Sequence, residues 1–384
     1  MPRVHVSALG TWAMSAVGVA PAPTGQAVAA LRALARRGAW RDLAADAGAL
    51  LEGLPPSDDA RAPALAWRAL ALARCGDAAG AAATLRSAGL GDASQTLVPT
   101  HLTGAPSGTT AAAAMRELRL LWAELPALDG RREETLARLY SELDASCSDG
   151  TASGDPSAEG LALQRRILTN LLRHHVAASQ YPSALAVAGR LVELAWKGPG
   201  TSVAREGGGE SDSDRSVCAD AAWSLSQAGM ACLQMGAVPT ARELLERSDA
   251  AAGEGASAEY LRALHAGLLA VARKQWAEAE AKFESAAAAA RRGEHGSSGG
   301  SDAAVADNNA AVCKLYSRRL PDAVRALEGR LQDGLQYLST DVVGNLASMY
   351  ELESADPTSA KQKLGEWIAA SAPDDFDRGC LRLS

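Results

Sequence analysis

Apolar residues recur along most of the chain at spacings of three and four, interrupted by short turns rich in glycine or polar residues. That period predicts amphipathic α-helices, and no stretch reads convincingly as a strand. The clearest segment is Val305-Ala306-Asp307-Asn308-Asn309-Ala310-Ala311-Val312-Cys313-Lys314-Leu315-Tyr316, followed by Leu320-Pro321-Asp322-Ala323-Val324. It predicts one helix, a tight turn and the opening of a second helix. The same layout recurs upstream. One unit has Gly267 where two helices would cross, Trp276 after the turn, Ala279 and Ala286 on the second helix, and Phe283 as a large plug. Others carry Gly229, Gly236, Val238, Ala241 and Leu245; Tyr181, Ala184 and Leu191; Gly76-Asp77, Ala81, Leu85 and Ala88; and Gly38-Ala39-Trp40-Arg41-Asp42-Leu43. Residues 113–143 form a further helical pair with Leu118, Leu121, Trp122 and Leu125 ahead of Pro126 and Gly130. Helix-period patterning returns at 339–353 and 358–371.

A small residue at a helix crossing, a glycine turn, a large apolar residue after it and alanine on the second helix are the marks of a tetratricopeptide repeat. The predicted fold class is an all-α, TPR-like helical-hairpin solenoid over 26–384, after a flexible N-terminal segment at 1–25. Loops rich in Gly, Ser, Thr, Asp and Pro are expected at 91–111, 147–160, 198–216 and 292–302. The third contains Gly207-Gly208-Gly209-Glu210-Ser211-Asp212-Ser213-Asp214 and is expected to be disordered. Ser211, followed by acid, is a candidate for an acid-directed kinase, although an unmodified linker is the plainer reading. Stacked hairpins cannot bury their apolar faces singly, so neighbours share a core and leave a concave surface for partners. The predicted role is to bind other proteins.

Composition narrows this further. The net charge of −7 in 384 residues argues against holding nucleic acid through bulk charge. Only six basic residues are Lys, and the Arg residues are scattered singly or in pairs such as Arg36-Arg37. Cys75, Cys147, Cys218, Cys232, Cys313 and Cys380 never form a C-x-x-C pair, and most fall in or beside apolar helical runs, which fits a reducing, cytoplasmic setting. No window holds eighteen uninterrupted apolar residues, so direct membrane insertion is not expected. The first twenty residues resemble a weak signal peptide ending near Ala20-Pro21-Ala22, but Gly10, Gly18 and His5 interrupt it.

Candidate chemistry is thin. His174 and His175 are adjacent, so on a helix they point about 100° apart and cannot chelate one metal as an i, i+4 pair would. No phosphate-binding glycine motif follows a strand, the six His are dispersed, and no Gly-x-Ser-x-Gly elbow occurs. No catalytic, cofactor or metal residues are therefore assigned, and an enzyme is not expected. Asn308-Asn309 is more informative, because the first helix of each hairpin lines the concave face. The two amides either bind a partner's backbone or bond between neighbouring repeats. Equivalent positions offer Ser226, Met230, His265 and Leu268, which lack the Lys or Arg that a carboxylate clamp needs.

Three blocks near the C-terminus carry a more specific resemblance: Asp307-Asn308-Asn309-Ala310-Ala311-Val312-Cys313-Lys314-Leu315-Tyr316, then Gly344-Asn345-Leu346-Ala347-Ser348-Met349-Tyr350-Glu351-Leu352-Glu353-Ser354, then Phe376-Asp377-Arg378-Gly379-Cys380-Leu381-Arg382-Leu383. Together they resemble the subunit 12 family of the transport protein particle (TRAPP) complex, with looser similarity through 222–248, 161–196 and 64–92. The resemblance implies a non-catalytic scaffold subunit of a vesicle tether and Rab-exchange assembly acting in endoplasmic reticulum-to-Golgi transport and autophagy. Its partners would be other TRAPP subunits and, indirectly, a Rab GTPase and Golgi or vesicle membranes, with no nucleic acid. It would be cytoplasmic and peripherally associated with those membranes. A generic TPR adaptor or cochaperone is the alternative. The candidate partner-binding residues are Asn308, Asn309, Val312, Tyr316, His265 and Leu268, with Met349, Tyr350 and Glu351 as a second surface. The main assembly determinant is expected within 303–384.

Overall fold

The computed structural model describes residues 25–55, 58, 60–90, 110–148, 158–195, 212–293, 299–353 and 356–381. Among them the regular elements are sixteen α-helices and two short 3-10 turns, with no strand. The expected N-terminal flexible segment up to residue 24, the centres of the four expected loops, and Ser211 lie outside the described residues. Helices reach further into those loops than the pattern predicts, beginning at Thr110, Ala158, Asp212 and Gly299. The polar Asp212-Ser213-Asp214 run is thus the first turn of a helix.

The described residues fall into two compact units. One holds residues 25–174 with 373–375, the other 175–372 with 376–381. The first contains α1 (Gly25–Arg37), α2 (Trp40–Gly53), α3 (Arg61–Arg74), α4 (Ala78–Ser87), α5 (Thr110–Leu128), α6 (Arg132–Ser148) and most of α7 (Ala158–Ala177). The second contains α8 (Tyr181–Ala195), α9 (Asp212–Gln234), α10 (Val238–Ala251), α11 (Ala256–Ala272), α12 (Trp276–Arg292), α13 (Gly299–Tyr316), α14 (Leu320–Asp333), α15 (Thr340–Glu353) and α16 (Pro357–Ser371).

Seven hairpin turns share one backbone device. Gly38, Gly76, Gly130, Ser179, Gly236, Lys274 and Arg318 all have φ between 57° and 80°. In each turn the next N–H donates to the carbonyl five residues back: Ala39 to Leu34, Asp77 to Leu72, Arg131 to Pro126, Gln180 to His175, Ala237 to Cys232, Gln275 to Ala270 and Arg319 to Lys314. This is the Schellman closure, which satisfies the last carbonyls of the first helix and reverses the chain. The left-handed residue is glycine in only four of the seven. Glycine spacing alone therefore under-reads the repeat.

The turn also sets the register of the second helix. Five residues beyond the left-handed position stand Leu43, Ala81, Thr135, Ala184, Ala241, Ala279 and Ala323, each wholly buried. Seven residues before it and nine after it, the two helices of a hairpin divide one volume between them. A Cβ on Gly267 would lie 2.6 Å from the Phe283 ring, and one on Gly229 would lie 2.7 Å from Leu245. The same register holds Leu31 with Ala47, Ala69 with Leu85, Ala123 with Leu139 and Ala311 with Leu327, all buried. Where one helix offers Leu the other offers Ala; where one offers Gly or Ala the other offers Leu or Phe. Interiors this dense require such exchange, since one surplus methylene forces strain and one missing leaves a void.

Tyr181 departs from the plug role that its place after the turn suggests. The buried face of α8 is Ala184, Val187, Ala188, Leu191 and Leu194. Tyr181 and Leu185 flank that face and remain 42% and 47% exposed. Among the described residues no helix is long and apolar enough to cross a membrane.

Candidate protein-binding site

The first helices of successive hairpins meet through polar contacts. On α13, Asn308 and Asn309 are 1% and 0% exposed, and on α15 Asn345 is 4% exposed. The Asn345 amide donates from Nδ2 to Oδ1 of Asn308 at 2.9 Å. Val312 and Met349 are wholly buried and share an apolar cluster with Val343, Leu346 and Leu327. Of the two roles considered for the Asn pair, Asn308 makes the bond between repeats. The amides, Val312 and Met349 do not reach the surface.

The equivalent layer upstream is built differently. His265 of α11 is 1% exposed; its Nδ1 lies 2.7 Å from Asp249 Oδ1 on α10, and its Nε2 lies 2.8 Å from Ser226 Oγ on α9. A neutral imidazole fits both partners by donating from Nδ1 to the carboxylate and accepting the serine O–H at Nε2. The order of groups is that of a nucleophilic Ser-His-Asp relay. Here Ser226 is 1% exposed in the interior of α9, and the array ties three helices together. In the sequence the six His look dispersed, and this grouping goes unseen. The available signal was that Ser226 and His265 stand at neighbouring register positions on successive first helices. Leu268, 5% exposed, belongs to the Phe283 cluster.

His174 and His175 take separate partners, Glu124 Oε2 at 2.9 Å and Gln180 Oε1 at 2.7 Å respectively. Among the described residues no group of His, Cys, Asp and Glu is arranged to hold a metal.

Charged side chains near α13 are largely paired. Asp307 receives Arg291 at 2.8 Å and Arg330 at 3.1 Å. Burial pushes its carboxyl up, and the two guanidiniums offset part of that rise. Lys314 bonds Glu280 and Glu284, each at 2.7 Å, and Arg319 also pairs with Glu280. Burial would raise the Glu280 carboxyl, but hydrogen bonds from Arg319 and Lys314 outweigh it and hold the group below its usual range. Burial lifts the Cys313 thiol to about 12, so it stays a neutral apolar filler. Tyr316 is 48% exposed and stacks on Trp276 with ring centres 4.5 Å apart. It is the member of the Asn308 block that does face solvent.

The other exposed feature lies between α14 and α16, which leave a groove of about 590 Å³ floored by Leu346 and Tyr350 of α15. Its α14 wall is Glu328, Leu331 and Gln332; its α16 side carries Ser359, Ala360, Lys363, Leu364 and Trp367, with Asp356 at the helix start. Tyr350 donates its hydroxyl to Glu328 Oε1 at 2.6 Å. Burial first, then that carboxylate, then Glu353, push the phenol well above its ordinary range. Glu351 is exposed and pairs with Lys361. Of the residues singled out in sequence, only Tyr350 lines the groove. Glu328, Lys363 and Trp367 carried no sequence signal, because the gap depends on how far apart two second helices stand.

No family model matches the chain. Over 82 residues, 21% of its length, it is 48% identical to the mouse protein named "Trafficking protein particle complex subunit 12". The human protein of that name matches with the same identity over the same length. The match covers 10% of the mouse protein and 11% of the human one, so the chain spans about a tenth of the relatives it resembles. Among solved structures, yeast Tom70 aligns over 90% of this chain and 84% of its own at 11% identity and a TM-score of 0.28. The P58(IPK) TPR domain aligns over 94% and 97% at 13% identity and a TM-score of 0.23. The helical-hairpin architecture rests on the repeated turns and the buried registers they set.

Proposed function

We propose that this protein is a non-catalytic scaffold subunit of a TRAPP-type tethering and Rab-exchange complex, working in endoplasmic reticulum-to-Golgi transport and autophagy. The observation that carries the proposal is the 48% identity over 82 residues to TRAPP complex subunit 12. Stacked hairpins suit such a role, because each repeat adds surface without needing a separate core. The direct partners are other TRAPP subunits. A Rab GTPase and Golgi or vesicle membranes are reached through them, from a cytoplasmic, peripherally attached position. The Ser226, His265 and Asp249 array acts in this reading as a packing element, and nucleotide exchange belongs to other subunits.

Affinity purification of the tagged protein with mass spectrometry tests the reading. Other TRAPP subunits are expected in near-equal amounts. Recovery of molecular chaperones alone, with none of those subunits, would overturn it. In parallel, the isolated chain at catalytic concentration should leave the rate of nucleotide release from a Rab GTPase unchanged.

A further inference from the structure

We infer that the groove between α14 and α16 is a docking site for a basic amphipathic helix of a partner protein. The inference rests on the scaffold reading only in taking a protein segment as the occupant.

Leu331, Leu346, Leu364 and the ring of Trp367 supply the apolar half of one depression, and polar and charged side chains line the rest. A volume of about 590 Å³ lies in the range of sites that enclose a sizeable ligand, and can admit side chains from one face of a helix. Helices that bind in grooves present apolar side chains one turn apart. Two second helices flanking a first helix supply the two walls for such a segment.

The charge pattern selects the occupant. Among the described residues Glu328 takes a hydrogen bond from Tyr350 and no Lys or Arg pairs with it, and Glu353 likewise pairs with none. Burial first, and then the two carboxylates, raise the Tyr350 phenol. Of these acids Glu328 lines the groove; Asp356, at the start of α16, also lines it and is already partnered, its Oδ1 accepting from the Ser359 N–H at 3.2 Å. Among the described residues the one cation lining the groove is Lys363, on the opposite wall from Glu328. Most charged groups around α13 are neutralised by partners, whereas Glu328 keeps an acceptor oxygen without a cation at a half-buried position. An Arg on the occupant would complete it, since a charge-assisted bond to a carboxylate is about twice as strong as a neutral one. Lys363 orients the helix, placing its basic side toward α14 and any acidic residue toward α16.

The test uses the purified full chain and a labelled amphipathic helical peptide with two Leu one turn apart and Arg between them. A twin peptide carries Glu in place of Arg. Fluorescence anisotropy should show micromolar binding of the Arg peptide and none of the twin. Glu328→Gln, which preserves an acceptor for Tyr350, should weaken the Arg peptide about tenfold. Ala360→Arg, which fills the groove from a wall position, should abolish binding while the melting temperature stays near wild type. The inference falls if the Arg peptide does not bind, if the twin binds equally, or if Ala360→Arg binds like wild type. It also falls if the chain self-associates and Ala360→Arg makes it monomeric, because the groove then holds a second copy. Peptide binding without recovery of TRAPP subunits would leave the groove standing and remove the proposed complex; the reverse result would do the opposite.

Discussion

The α9–α11 and α13–α15 layers occupy corresponding places in the same kind of hairpin and solve the same problem with different chemistry. In the first, one imidazole bridges a buried serine and a carboxylate that is 29% exposed on its side chain. In the second, one amide meets another, with no charge in the bond. The first is directional and includes an ion that stays partly in water, while the second is neutral and enclosed. The hairpin frame thus decides where polar groups can be buried, and the local partner decides which groups can be. Buried polar side chains are tolerated only when bonded, so each layer should be more sensitive to losing one member than its apolar surroundings suggest.

The largest expected effect distinguishes the layers directly. His265→Ala removes the bridge, leaves a void and strands the Ser226 hydroxyl, whose partner is His265 Nε2. The loss should be roughly 3 kcal/mol. Asn308→Ala, a smaller truncation, should lose roughly 1–2 kcal/mol. Chemical denaturation of both variants gives the ordering, and an equal or reversed loss would break the proposed contrast. Asn345→Ala in the Asn308→Ala background should then add less than it does alone, because the two share one bond.

A second contrast sets Asp249 against Asp302. Asp249 accepts a hydrogen bond from His265 Nδ1, whereas Asp302, in the first turn of α13, has no hydrogen bond or cation among the described residues. Burial lifts its carboxyl from the ordinary 3.8 to about 6. A folded-state value above the unfolded one means the native state binds the proton more tightly. This contribution favours folding below about pH 4 and is lost as pH rises through 6. Asp302→Asn should therefore stabilise the protein by about 1–2 kcal/mol at pH 7.5, with the gain fading toward pH 4. A gain independent of pH would assign the effect to packing instead of ionisation. Asp249→Asn should show no such gain, because it weakens an existing bond.

Much of this frame is legible in the sequence. Gly267 with Phe283 and Gly229 with Leu245 announce close crossings, because only a glycine leaves room for the opposing side chain. The wholly buried alanines after five of the seven turns follow from the same pattern. Ser179, Lys274 and Arg318 do not announce their turns, since nothing in a serine or basic residue signals a left-handed backbone. The site is less legible than the fold. Asn308 and Asn309 look like a surface pair on a polar-interrupted helix, yet both are buried, and Asn308 is bonded to Asn345, thirty-seven positions away. Tyr316 and Tyr350 are both aromatic near helix ends, yet one stacks on Trp276 in solvent and the other floors a groove. Such distinctions arise from spacing between helices, to which no local pattern is tied.

The smallest expected effect asks whether the frame is truly common to both layers. Lys274 closes the α11–α12 hairpin and Arg318 the α13–α14 hairpin, both left-handed, while Gly236 closes α9–α10. A residue with a Cβ in that conformation loses about 1 kcal/mol against glycine, partly returned because glycine has more freedom to lose on folding. Lys274→Gly and Arg318→Gly should each raise stability by about 0.5 kcal/mol, and Gly236→Lys should lower it by a similar amount or more. Arg318→Gly leaves the Arg319 pair with Glu280 in place, so its effect reports the backbone. The decisive measurement is additivity. If the turns are independent of the polar layers, Lys274→Gly should give the same increment in the His265→Ala background as in wild type, and Arg318→Gly the same increment with Asn308→Ala. An increment that vanishes in either background would mean that turn and layer form one cooperative element, and that the two regions differ in their frame as well as in their filling.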